Sequence, residues 1–169
     1  MNIPGRTTTV SSVALHAALM LPVAGSVAPQ AAADDGAPGV TTLALFEHDT
    51  QQTSLHLGPV TPGPGDQLLF AGDVFDHPGG TKLGHIACQC TNLSGNATAG
   101  DILCSLTFVL DGGQISTQVL ADRVALFDGQ TVPISIVSGT GKYRDARGDG
   151  TIQLPNQTDG NVVLNVITG

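Results

Sequence analysis

The dipeptide Asp111-Gly112 constrains this chain more than any other feature, because it stands between the apolar run Ile102–Leu110 and an alternating segment that begins at Gly113. Asp-Gly between two such runs signals a tight antiparallel hairpin, the glycine supplying the positive φ that the turn needs. Folding about it sets Phe108 opposite Ile115, Leu106 opposite Thr117 and Cys104 opposite Val119. That face is apolar. The other face, with Ser105, Thr107, Gln114, Ser116 and Gln118, is polar, as in a sheet buried on one side only.

The same grammar runs through the chain from residue 40 onward. Val40–Asp49 reads as a first strand with Leu43, Leu45, Glu47 and Asp49 on one side and Ala44, Phe46 and His48 on the other. Three prolines in Gly58–Gly65 remove ladder donors and make a loop. Leu68–Gly72 and Leu83–Cys90 flank a Pro-Gly-Gly turn at Asp76–Gly80, and Asn92–Asp101 is a polar connection into Ile102–Leu110. Val132–Val137, Thr151–Leu154 and Val162–Ile167 complete eight strands. No window of this region keeps a helical period over the ten or so residues a helix needs. An all-β domain follows. Strand spacing fits a closed antiparallel barrel, which disposes of sheet edges, and a sandwich equally well.

With 169 residues, 41% hydrophobic and 12% charged, the chain has material for one domain with a core and not for two. A net charge of −8 with only six basic residues leaves no patch to neutralise a row of phosphates, so nucleic acid is excluded as a partner. Anionic membrane surfaces also repel such a protein. Residues 1–33 read as a signal peptide: Arg6 begins it, Val13–Val27 is mostly apolar, and Ala31-Ala32-Ala33 offers a small-residue cleavage site. The apolar run, interrupted by Pro22, is too short to remain as a membrane span. Residues 34–39 are then a linker and 40–169 the barrel domain of a secreted or extracytoplasmic protein.

Export suits the cysteines. Cys88, Cys90 and Cys104 are too few for a four-ligand zinc site, and Cys-x-Cys is not the Cys-x-x-Cys of thioredoxin-like enzymes. A turn centred between Ala97 and Thr98 brings Cys90 opposite Cys104, predicting a disulfide between them with Cys88 free. Several other motifs fail on inspection. Gly139-Thr140-Gly141-Lys142 lacks the first glycine of a phosphate loop and has Tyr143 where Ser or Thr must reach magnesium, so it reads as a turn with Lys142 in solvent. Asp73, Asp76 and His77 are too sparse for a cation site and read as turn residues; no metal is expected. There is no Gly-x-Ser-x-Gly elbow to support a hydrolase. Asn92, Asn96 and Asn156 each begin a glycosylation sequon.

Two stretches carry a resemblance. One is Gly-Asp-Gln-Leu-Leu-Phe-Ala-Gly-Asp-Val-Phe-Asp-His-Pro-Gly-Gly-Thr-Lys-Leu-Gly from Gly65, running on to Cys88 and Cys90. The other is Val137-Ser138-Gly139-Thr140-Gly141-Lys142-Tyr143-Arg144-Asp145-Ala146-Arg147-Gly148, preceded by Gly112-Gly113-Gln114. Together they resemble the allene oxide cyclase barrel-like family, which is akin to plant dirigent proteins and bacterial spirotetronate cyclases. Ser138 stands where that family usually has Gly. The resemblance spans roughly residues 40–168 and implies an eight-stranded antiparallel β-barrel of the allene oxide cyclase/dirigent type.

It also implies a function: a lumen that folds an apolar small molecule and directs its cyclisation or isomerisation without a cofactor. A dirigent-like binding protein that orients a reaction begun elsewhere is the second reading, and a packed extracellular structural barrel the third. Glu47 and Arg147 are the candidate catalytic residues, with Asp49, Phe108, Tyr143 and Arg144 as candidate substrate-binding residues. Glu47 shares its side with Leu43 and Leu45, so burying those leucines turns the carboxylate inward. An inward carboxylate calls for a partner, and Arg144 or Arg147 is the expected one. The resemblance leaves room for a homo-oligomer.

Overall fold

In the computed structural model, which describes residues 39–168, eight strands follow one another in sequence order around a closed antiparallel barrel. They are β1 (Gly39–Leu55), β2 (Gln67–Phe75), β3 (Lys82–Asn92), β4 (Asp101–Leu110), β5 (Gly113–Asp122), β6 (Val132–Gly139), β7 (Arg147–Gln153) and β8 (Asp159–Thr168). β8 pairs with β1 and closes the ring, so no edge is left unpaired. The barrel begins one residue before the expected Val40, at Gly39. The expected signal peptide lies outside the described residues, as does the linker up to residue 38.

Alternation decides the inside of the barrel. Leu45, Val74, Ile86, Cys104, Leu106, Phe108, Ile115, Val119, Ile134, Ile136, Ile152, Val162, Leu164 and Val166 are buried, and each is the inward residue of its strand. The β4–β5 hairpin turns on Asp111-Gly112 with the expected register, pairing Phe108 with Ile115, Leu106 with Thr117 and Cys104 with Val119. Cys90 pairs with Cys104 across β3 and β4, and the two form a disulfide 14 residues apart in sequence. Cys88 is free, its Sγ 3.6 Å from that of Cys90.

The Gly-Thr-Gly-Lys segment is a turn, with Gly141 beginning a single 3-10 turn that ends at Tyr143. Gly141 has φ of 61°, and its Cα packs on the backbone of Gly112, whose carbonyl accepts from the Lys142 N–H at 2.8 Å. A side chain there would strike that carbonyl, which is why glycine occupies a position that imitates a phosphate loop. Asp76 is a turn residue too, its Oδ1 accepting from the Thr81 N–H at 2.8 Å.

Two elements escape sequence periodicity. β1 continues six residues past Asp49, through the polar run Thr50–Leu55, with a β-bulge at Thr50: Asp49 faces Gly72 and Gln51 faces Ala71. A five-residue helix α1 (Arg123–Phe127) links β5 to β6, its start capped by Asp122, which accepts from the Ala125 N–H at 2.8 Å. One helical turn is too short to show a period. The readable signal was Asp122 standing before Val124, Leu126 and Phe127.

Candidate functional site

The barrel has two dissimilar ends. At one end lie the connections 56–66, 93–100, 123–131 and 154–158, three of them eight residues or longer; at the other lie the turns 76–81, 111–112 and 140–146, none longer than seven. Glu47 pairs with Gly160 at the long-loop end, whereas Val40 pairs with Ile167, which faces Arg147, at the other. Seven residues of strand separate these positions on β1, ~23 Å at the usual rise per residue.

Glu47 points inward, as its parity with buried Leu45 requires, and is only 7% exposed. Gly160, opposite on β8, makes room for it: a Cβ there would overlap the Glu47 carboxylate. The carboxyl has no hydrogen bond or ion pair with any described side chain. Burial, reinforced by the neighbouring Asp49 charge, lifts its pKa from 4.5 to about 7. Asp49 is raised as well, chiefly by burial, while a 3.3 Å hydrogen bond from Gln52 Nε2 and the nearby His48 work against the rise. The bulge at Thr50 makes that bond available. It shifts the alternation so that Gln52, rather than Gln51, follows Asp49 on the inward side, opposite Phe70.

Glu47 and Asp49 line an inner cavity of about 40 Å³ whose other walls include Leu106, Val119, Leu126, Ile152, Leu154 and the disulfide. Cys88 lines it too, and burial together with the two carboxylates pushes its thiol well above the ordinary range, so it stays protonated. Asp159 closes the rim. Its Oδ1 lies 2.7 Å from His48 Nδ1 and its Oδ2 accepts from Asn156 Nδ2 at 2.8 Å, contacts that hold its pKa below the usual value, Asn156 contributing most. Outside this cavity is a vestibule of about 360 Å³ with Gln52, Gln67, Asn92, Arg123 and Gln157 in its walls. Phe70, Phe127 and Gln157 line both spaces and form the throat between them.

Of the residues singled out from the sequence, Glu47 and Asp49 come together at this site. The others do not. Arg144 and Arg147 are exposed and sit at the opposite end, so the expected pairing with Glu47 is not formed. The buried carboxyl is accommodated by holding its proton instead of by a cation. Tyr143 lies at that opposite end, partly buried, with Lys142 Nζ 5.2 Å from its ring centroid. Phe108 is fully buried, 0% exposed, between Ile86 and Ile115, and is packing rather than a wall of the cavity. Sequence reasoning missed Gln52, Cys88, Asp159 and the α1 residues Leu126 and Phe127. Cys88 was within reach, since it shares its strand face with Cys90.

Residues 42–164 match the family described as the allene oxide cyclase barrel like domain. The chain belongs to that family. Its barrel is similar to that of a pyocyanin demethylase, 21% identical with a TM-score of 0.65 over 75% of this chain and 99% of that one. A pterocarpan synthase dirigent protein is 15% identical, with a TM-score of 0.65 over 85% of this chain and 96% of the other. A nonspecific heme-binding cyclase that catalyses 4 + 2 cycloaddition in neoabyssomicin biosynthesis is 22% identical, with a TM-score of 0.62 over 78% and 69%. No curated protein matches the sequence. At such identities the allene oxide cyclase-like barrels share a fold, and that fold carries demethylase, dirigent and cycloaddition chemistries alike.

Proposed function

We propose that the Glu47 end of the barrel binds a mostly apolar small molecule and directs its cyclisation or isomerisation, with Glu47 as the proton donor and no cofactor. One observation carries the reading: an inward carboxyl in a largely apolar cavity, its pKa lifted to about 7. A carboxylic acid kept neutral near pH 7 can donate a hydrogen bond, or its proton, to a carbonyl oxygen and draw electron density from the reacting carbons. Asp49 beside it helps keep it protonated. The apolar walls hold the flexible chain in a reactive conformer, supplying proximity. Arg147 has no role in this reading, being exposed at the far end. The family's small-molecule chemistry supports the substrate class. We further propose that the protein is exported; the Cys90–Cys104 disulfide is compatible with an oxidising compartment, and no described helix is long and apolar enough to cross a membrane.

The test is to incubate the protein with a panel of linear enone- and diene-bearing chains and to follow, by chromatography and mass spectrometry, products of unchanged mass. Glu47→Gln is expected to lower the rate ~100-fold or more. The wild-type rate should fall as pH rises through about 7, where Glu47 loses its proton. A rate unchanged in Glu47→Gln sinks the mechanism. Binding without turnover, coupled to altered stereochemistry of a reaction run by a second enzyme, would instead favour the dirigent-like reading.

A further inference from the structure

The inner cavity, about 40 Å³, holds the tip of a molecule and no more; the vestibule outside it, about 360 Å³, lies in the range of small-molecule sites. The bulk of any ligand whose tip reaches Glu47 therefore sits in the vestibule, whose walls add polar side chains to apolar ones such as Leu68, Phe70 and Phe127. Asn92 closes the inward row of β3 and is 3% exposed. Its backbone is fully used: its N–H donates to the Asp66 carbonyl at 2.9 Å and its carbonyl accepts from Gly65 at 2.7 Å. Its side-chain Oδ1, by contrast, is buried with no hydrogen-bond partner. A buried amide oxygen left unpaired is costly, and a ligand hydroxyl is the donor that would satisfy it. Arg123 lines the same space, donates to the Asn96 carbonyl, and has no carboxylate in ion-pair range among the described residues. Asp66, the vestibule's own carboxylate, is already satisfied by the Leu57 and Gly63 N–H groups at 2.8 and 3.0 Å and by His56 at 3.3 Å.

From this juxtaposition we infer that the vestibule is a subsite for an oxygenated head bearing a free hydroxyl, which donates to Asn92 Oδ1 while Arg123 donates to a neighbouring ligand oxygen. The substrate is then an amphiphile with its polar end outward and its apolar reacting tip inward. The inference rests on the reading that a small molecule enters at this end, but not on what Glu47 does to it.

Two probes that differ in one donor test it: diethylene glycol monohexyl ether and its methyl-capped form, titrated into the full chain by calorimetry and by ¹⁵N NMR. The free hydroxyl is expected to bind at least tenfold more tightly, and to shift the Asn92 side-chain amide resonance where the capped ether does not. Asn92→Leu should abolish the preference, and Arg123→Gln should weaken both probes alike. Arg147→Leu, exposed at the opposite end, should bind both as the wild type does. Equal binding of the two ethers, binding of neither, or a preference that survives in Asn92→Leu overturns the inference. If Asn92→Leu does not fold, the amide shift in the wild-type protein decides. Preserved turnover in Glu47→Gln would overturn the proton-donor role and leave this subsite standing.

Discussion

The two ends of the barrel are made from the same eight strands and solve opposite problems. At the Arg147 end the turns are short and the inward residues are Val74, Ile86, Phe108, Ile115, Leu164 and Val166, all 2% exposed or less. Charges at that end stay outside, in solvent: Lys142 lies 3.8 Å from Asp111, and Arg144 and Arg147 are exposed. At the Glu47 end the strands run on past the core into longer loops, and the inward positions become Glu47, Asp49, Gln52 and Asn92. The first end is solid and contributes stability. The second gives up packing and carries unmet polar groups, which is where chemistry can be done. The arginines of the recognisable family motif thus lie at the closely packed end of the barrel.

Cutting into each end should separate the two roles. Phe108→Ala, in the solid half, is expected to destabilise the fold by ~3–5 kcal/mol, whereas Phe127→Ala at the throat, only partly buried, should cost ~1 kcal/mol; urea titrations compare them. Comparable losses would mean that the open end is packed as firmly as the closed one.

Glu47 should show the opposite sign. Its folded pKa lies above its unfolded value, so the native state keeps a proton that the unfolded chain releases between pH 4.5 and about 7. Stability therefore declines as pH rises across that window and stays lower beyond it; Asp49, raised as well, adds in the same sense. Glu47→Gln removes most of the decline. Lifting a pKa that far corresponds to a gain of up to ~3 kcal/mol at pH 8, vanishing below pH 4.5, as read from urea midpoints at the two extremes. A variant less stable than wild type at pH 8 would show that the ionised carboxylate has a stabilising partner.

Gly160→Ala crowds the same carboxyl from β8 and is expected to cost ~1–3 kcal/mol, with loss of whatever activity depends on Glu47. Arg147→Leu should do least, changing stability by ~0.5 kcal/mol or less and leaving activity intact. An Arg147→Leu protein that folds normally and is inactive would reverse the assignment of the two ends.

What the sequence disclosed follows a physical division. The Asp111-Gly112 hairpin, the Cys90–Cys104 pairing and the inward aim of Glu47 each depend on alternation and on a nearby turn, which are local. The location of Arg147 depends on a register passed from β1 through β8 to β7, Val40 to Ile167 to Arg147, across more than a hundred residues. Nothing near Arg147 encodes it. The extension of β1 was hidden by its polarity, since its inward residues face a vestibule instead of a core. Helix α1 was hidden by its length.

The bulge at Thr50 has an evolutionary consequence. On β1 the residues before it present odd numbers to the interior and those after it present even ones. Pairing β1 without the bulge at constant length would restore one parity throughout, rotating Gln52 and Ser54 outward and bringing Gln51, Thr53 and Leu55 to the mouth, whereas deleting Thr50 would leave all of them as they are. A change that flattens the bulge, or a one-residue insertion just beyond it, thus exchanges a whole row of mouth-lining side chains in one mutational step, without touching Glu47 or the packed end. A lineage of such barrels can change what it admits by shifting the reading of a strand, where point substitutions would have to replace its residues one at a time.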